Sequence, residues 1–152
     1  MSAAPTNEPK MLARPAAVCG VLALLLPAHA ADGGTVRPTP EQARNFSNPV
    51  AYSQAVAREG RKSYLRLCQY CHGADGRAQA NPDFEAPSLR APDEWRYGTT
   101  DGELFVSIKH GAGHDMPPFS RQLEDERIWE LVHYLRSIGP REQRPVAPTD
   151  EQ

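Results

Sequence analysis

The stretch YLRLCQYCHGADG, residues 64–76, holds two cysteines three positions apart, with a histidine directly after the second. Cys68, Cys71 and His72 admit three chemistries. The pair can cycle between dithiol and disulfide, it can form half of a zinc site, or with the adjoining histidine it can anchor a haem. A purely structural disulfide is a weak fourth choice. A bridge across two residues closes a very short loop and removes little entropy from the unfolded chain.

Each chemistry needs a different frame. A thioredoxin-like pair sits at a helix N-terminus after a strand, whereas Cys68 and Cys71 follow a helical stretch and no strand pattern is found. A zinc site could draw on His110 and His114 of HGAGH, but 38 residues separate Cys71 from His110, against about 12 to 15 in a compact finger. Haem attachment uses all three residues. Two thiols can form thioethers with two vinyl groups while the neighbouring imidazole sits beneath the iron, and the spacing lets one turn reach one macrocycle. Haem accounts for the most residues.

The elements that would position these groups are helical. Asn48 as N-cap and Pro49 at the first position predict a helix running to about Cys68. Gly60 lies inside it, where glycine costs about 1 kcal/mol relative to alanine; another backbone or a large ring must come close there. Thr100 and Glu103 have capping-box spacing and open a short helix that Gly111 stops. Ile128, Leu131, Val132, Leu135 and Ile138 recur at helical spacing in a last helix ended by Gly139 and Pro140. Its acidic first turn, Glu124 to Glu126, suits the helix dipole. Residues 73–98 read as irregular, punctuated by Gly73, Gly76, Pro82, Pro87, Pro92 and Gly98. The expected class is all-α, three to four helices with long loops. Such loops make sense in a compact domain when a ligand fills the centre.

The N-terminus predicts export. Lys10 and Arg14 precede an apolar run from Ala16 to Leu26, and Ala28 and Ala30 give a small-x-small site, the order of a secretory signal cleaved after Ala30. The run is shorter than the ~20 residues of a membrane span, and Met11 is an alternative start. Cys19 leaves with the signal, and most of the apolar run follows it, which disfavours a lipoprotein anchor there. The mature chain then has 15 basic and 18 acidic residues, without the basic surplus expected of a nucleic-acid module. The boundaries read as a signal at 1–30, a flexible leader with at most one helical turn at 31–47, a folded domain at 48–139 and a disordered tail at 140–152.

Residues 48–139 resemble a class I c-type cytochrome. The pattern G-x-x-x-aromatic-x-x-x-C-x-x-C-H-G is met by Gly60, Tyr64, Cys68, Cys71, His72 and Gly73, and RIWELVHYLRSI resembles the family's last helix. The resemblance implies a cytochrome c fold around one haem c bound through Cys68 and Cys71, with Leu131 and Tyr134 crossing near Gly60 and Tyr64. It also implies that the Pro87 carbonyl in APSL accepts from His72 and that Leu89 packs on the haem. Met116, the only methionine after the signal region, sits in DMPPF, where the family presents its second axial ligand. His110 and His114 are the alternative ligands. Trp95, Arg96 and Tyr97 are candidates for the haem propionates, Trp129 belongs to the haem side or the core, and Pro117 and Phe119 would form an apolar rim. The implied function is a monomeric periplasmic electron carrier, docking transiently with a redox donor and acceptor and needing neither nucleic acid nor a membrane span. The alternatives are a dedicated cytochrome subunit of an oxidoreductase and a five-coordinate haem enzyme or gas binder.

Overall fold

The computed structural model describes residues 36–78, 81 and 83–146; the expected signal at 1–30 lies outside them. Within them five α-helices follow in order: α1 (Pro40–Arg44), α2 (Gln54–Leu67), α3 (Gln69–His72), α4 (Asp101–His110) and α5 (Asp125–Ile138), with 3-10 turns at Pro92–Glu94 and Arg141–Gln143. The all-α class holds. The only extended pairing among the described residues is an isolated antiparallel bridge, Ala112 with Met116. No helix among them is long and apolar enough to cross a membrane.

The central packing is α2 against α5. A Cβ built on Gly60 would lie 2.1 Å from the Glu130 carbonyl oxygen and 3.0 Å from Leu131 Cα, so the two backbones nearly touch. One turn further along, the Tyr64 and Tyr134 rings meet at 5.1 Å, and Tyr64 donates to the Gly73 carbonyl. Tyr64, Ile128, Leu131 and Val132 are fully enclosed. α4 joins through Phe105, stacked on Trp129 at 4.1 Å. Trp129 is therefore a core residue.

Two expectations shift. Asn48 does not cap α2: its Oδ1 accepts from Val50 N and its Nδ2 donates to the Trp129 carbonyl. The cap is Ser53, which accepts from Val56 N at 3.1 Å, so the helix begins five residues later than Pro49. α2 ends at Leu67 with Cys68 as its C-cap, close to the expected end, and the Cys68 N–H donates to Tyr64 O as α3 begins. Finally, the stretch read as a flexible leader contains α1, set by a capping box in which Gln42 N donates to Thr39 Oγ1 and Thr39 N to Gln42 Oε1. Ala43 is buried, and its carbonyl oxygen lies where a Cβ on Gly102 would be, 1.9 Å away, which is why α4 needs glycine there. At the other end, Arg144 Nε donates to the Gly139 carbonyl beyond the second 3-10 turn; residues 147–152 of the expected tail lie outside the described residues.

Glu103 secures α1 and the start of α4 together. Its carboxylate accepts from Arg44 Nε, Thr99 N, Thr100 N and Thr100 Oγ1, all within 3.0 Å, and its side chain is only 5% exposed. Burial pushes this carboxyl up, but hydrogen bonds from Thr100, Arg44 and Thr99 outweigh it and hold the group below its ordinary range. A depressed native value contributes stability that is present above the unfolded pKa of about 4.3 and lost as pH falls through the native one. Glu103→Gln should lower stability by about 2 kcal/mol at pH 7 and flatten its decline below about pH 4. Guanidinium midpoints at both pH values check this; equal midpoints at pH 7 would show that the network contributes nothing.

Candidate functional site

α3 places the motif at the edge of a cleft of about 820 Å³, within the ~300–1,000 Å³ typical of ligand and cofactor sites. Its walls come from α2 and α3, the segment 84–89, the loop 94–98, the inner face of α4, the loop after α4 and the α5 residues Leu131 and Leu135. Cys68, Cys71, His72, Pro87, Leu89 and Met116 all line it. Residues far apart in the chain thus share one cavity.

His72 is buried and its Nδ1 lies 3.2 Å from the Pro87 carbonyl oxygen. A carbonyl only accepts, so Nδ1 carries the proton and the lone pair is on Nε2. Burial pulls the imidazole below its usual range, against the raising effect of the Pro87 contact. A neutral imidazole with a fixed tautomer is what a metal ligand requires.

The surroundings of the thiols disfavour disulfide exchange. Cys68 and Cys71 are unbridged. Burial, and then the neighbouring Cys71, pushes Cys68 up to about 12; Cys71 is raised by burial and then by Asp115. A disulfide-exchange pair needs a stabilised thiolate, and here the surroundings favour the protonated form. For zinc, no group of three or more His, Cys, Asp or Glu among the described residues is arranged to hold a metal ion. Of the two histidines, His114 lines the cleft and His110 does not.

Met116 is held by its backbone. Ala112 N donates to Met116 O at 3.0 Å and Met116 N to Ala112 O at 3.3 Å, and Pro117 and Pro118 follow. Gly111 has φ +80°, and a Cβ there would lie 2.6 Å from Met116 O. Arg37, ahead of α1, donates from a guanidinium nitrogen to the Gly111 carbonyl at 2.7 Å. The N-terminal segment therefore braces the loop that presents Met116. Asp115 accepts from Glu85 N at 3.2 Å and ties that loop to the segment carrying Pro87.

Of the propionate candidates, Trp95 has its indole N–H committed to the Ser88 carbonyl at 2.8 Å. Arg96 is exposed beside Glu85, and half-exposed Tyr97 also lines the cleft. Of the expected rim pair, Pro117 is exposed and lines the cleft, whereas Phe119 lines it from the buried core. Tyr70 also lines the cleft, is more exposed than Tyr97, and lies edge-to-face with Phe84 at 5.8 Å. Tyr70 fills a variable position of C-x-x-C, so nothing in the motif singled it out.

The residues present fit a haem: two thiols and a neutral imidazole on one short turn, a thioether in another wall, and leucine, isoleucine and phenylalanine between them. Comparison with known proteins agrees. Residues 55–135 match the sequence family described as cytochrome c oxidase, cbb3-type, subunit III. The chain is 31% identical over 94 residues to the cbb3-type cytochrome c oxidase subunit CcoP of Azospirillum brasilense, covering 60% of this chain and 32% of that protein. It is 30% identical over 126 residues to subunit FixP of Sinorhizobium medicae, covering 73% and 43%. The chain thus spans 32% and 43% of the length of these two relatives. Among solved structures, cytochrome cL of Methylophaga aminisulfidivorans superposes with TM-score 0.52 at 21% identity over 80% of this chain and 89% of that one. Cytochrome cL of Hyphomicrobium denitrificans gives 0.51 at 24%, over 79% and 76%. These likenesses establish the fold.

Proposed function

From the premise that this chain belongs to the family of cytochrome c oxidase, cbb3-type, subunit III, a c-type cytochrome domain with haem c as its cofactor, we propose that it carries single electrons between protein partners in the periplasm. The observation behind this reading is the convergence of Cys68, Cys71, His72 and Met116 on one cleft with largely apolar walls.

When bound, the haem supplies an iron that alternates between ferric and ferrous states. Everything else falls to the chain. Cys68 and Cys71 would hold the group through thioether bonds. His72 would offer Nε2, with Pro87 fixing its ring, and Met116 would offer its sulfur from the braced loop. With both side chains engaged, the group would supply outer-sphere electron transfer rather than substrate chemistry. Thioether ligation and the apolar walls both favour the reduced state relative to a bis-histidine site. Electrons would cross at the mouth, near Cys71, Tyr70 and Gly113.

A second reading, a fixed cytochrome subunit of a larger oxidase, is favoured by the relatives, whose names describe such subunits. Both readings share one test. Redox titration of the exported, haem-loaded protein, followed by its visible spectrum, should give a reversible one-electron low-spin transition at positive potential. A high-spin spectrum or a markedly negative potential would overturn His72/Met116 ligation and return the protein to the open-site alternative.

A further inference from the structure

Behind the segment that carries Pro87 lies a second concavity of about 330 Å³, lined in part by Arg77, Ser88, Arg90, Ile138 and Arg144. The segment serves both sites by alternation. Pro87 and Leu89 line the haem cleft, while Ser88 and Arg90 line this one. Among the described residues no aspartate or glutamate lines it.

The three guanidinium groups are oriented rather than free to wander. Arg90 Nε donates to Ile138 O at 3.0 Å and Arg144 Nε to Gly139 O at 2.9 Å, both at the end of α5. Arg77 Nε pairs with Asp75 at 2.9 Å. Each contact uses the inner nitrogen. For Arg90 and Arg144 the two outer nitrogens have no protein acceptor among the described residues, and they form the planar fork that matches a carboxylate. One carboxylate, Asp75, sits within this group. A local positive surplus thus stands on a chain whose formal net charge is −2.

We propose that this arginine cleft is a docking surface for an acidic protein partner, engaging carboxylate side chains through Arg90 and Arg144. The occupant follows from exposure. Arg77 and Arg144 are largely solvated, and a single small anion gains little from exposed charges. A protein bearing several carboxylates engages the forks together and gains in association rate and orientation. The cleft lies across the 87–90 segment from the haem cavity, so a partner held here leaves the mouth at Tyr70 available for a second, electron-exchanging partner. The proposal does not depend on which residues ligate the iron.

The test titrates the haem-loaded protein with an end-capped oligoglutamate peptide at about 20 and 200 mM salt. The paired variant Arg90→Gln/Arg144→Gln is compared with a control pair, Arg58→Gln/Arg121→Gln, exposed arginines outside the cleft. The wild type and the control should bind equally at low salt, and the cleft variant about tenfold more weakly, as two exposed ion pairs near the top of their range would give. Because Arg90 and Arg144 also satisfy α5 carbonyls, thermal midpoints are measured alongside. Should the double variant unfold early, Arg144→Glu alone, at an exposed side chain, must weaken binding by itself. Equal weakening by the control pair, or none by the cleft variants, overturns the proposal. So does inorganic phosphate displacing the peptide with the same arginine dependence, which would make the cleft a small-oxyanion site.

Discussion

Gly60→Ala should lower the thermal midpoint of the haem-loaded protein by at least about 10 °C. In an isolated helix the same change would stabilise by about 1 kcal/mol, because glycine is the poorer helix former. Here the new methyl would meet Glu130 O at 2.1 Å, Glu130 C at 2.6 Å and Leu131 Cα at 3.0 Å. All three are backbone atoms in the middle of α5, and no rotamer change relieves them. The helices must separate, at a cost of about 3 kcal/mol or more, and the loss spreads to Tyr64 and Leu131, which line the cleft, and to Tyr134, packed on Tyr64. The steric term therefore outweighs propensity. Gly139→Ala is the internal control: its nearest new neighbour is Arg136 O at 3.4 Å and its φ is −66°, so its midpoint should stay within about 2 °C. Midpoints read from circular dichroism for both variants decide the matter; a tolerated Gly60→Ala would mean that α2 and α5 do not meet at this crossing.

The second large effect concerns Met116. Met116→Ala should lower the reduction potential by something on the order of 100 mV or more, a modest part of the ~0.8 V range that axial ligands command. The reduced variant should also bind carbon monoxide readily, which the wild type should not. Met116→His restores a second strong ligand, so it should return the low-spin spectrum and exclude carbon monoxide while keeping the lower potential. Spectra of the three proteins with and without carbon monoxide provide the measurement. An unchanged spectrum in Met116→Ala would remove Met116 from the coordination sphere and move attention to His114, which lines the same cleft two residues earlier.

What the sequence disclosed follows from the range of each signal. Cys68, Cys71 and His72 are legible because their chemistry is packed into five consecutive residues. α4 announces itself through Thr100 and Glu103, and α5 through five apolar positions at helical spacing. Gly60 was legible as an anomaly, and the backbone of α5 explains it. The misjudged points depend on contacts made far along the chain. Asn48 has the chemistry of a cap, yet its side chain is occupied by Trp129, 81 residues away, and Ser53 takes the role. Thr39 and Gln42 spell a capping box, but five helical residues have too little propensity to declare themselves without the burial of Ala43 against α4. His110 and His114 look equivalent on paper, and only the turn at Gly111 separates them, leaving one outside the cleft. The arginine cleft had no local signature at all. Arg77, Arg90 and Arg144 converge only because α5 ends beside the segment that follows the haem motif.

The alternation of residues 87 to 90 carries a consequence for how this region can vary. Pro87 and Leu89 look into one cavity, Ser88 and Arg90 into the other. Substitution on one side leaves the other side's occupants in place. A change of length does not: one residue inserted after Pro87 would displace Leu89 and Arg90 together from the two cavities they line. Length is thus the quantity fixed between Pro87 and Arg90, and the two sites must change by replacement, never by insertion or deletion.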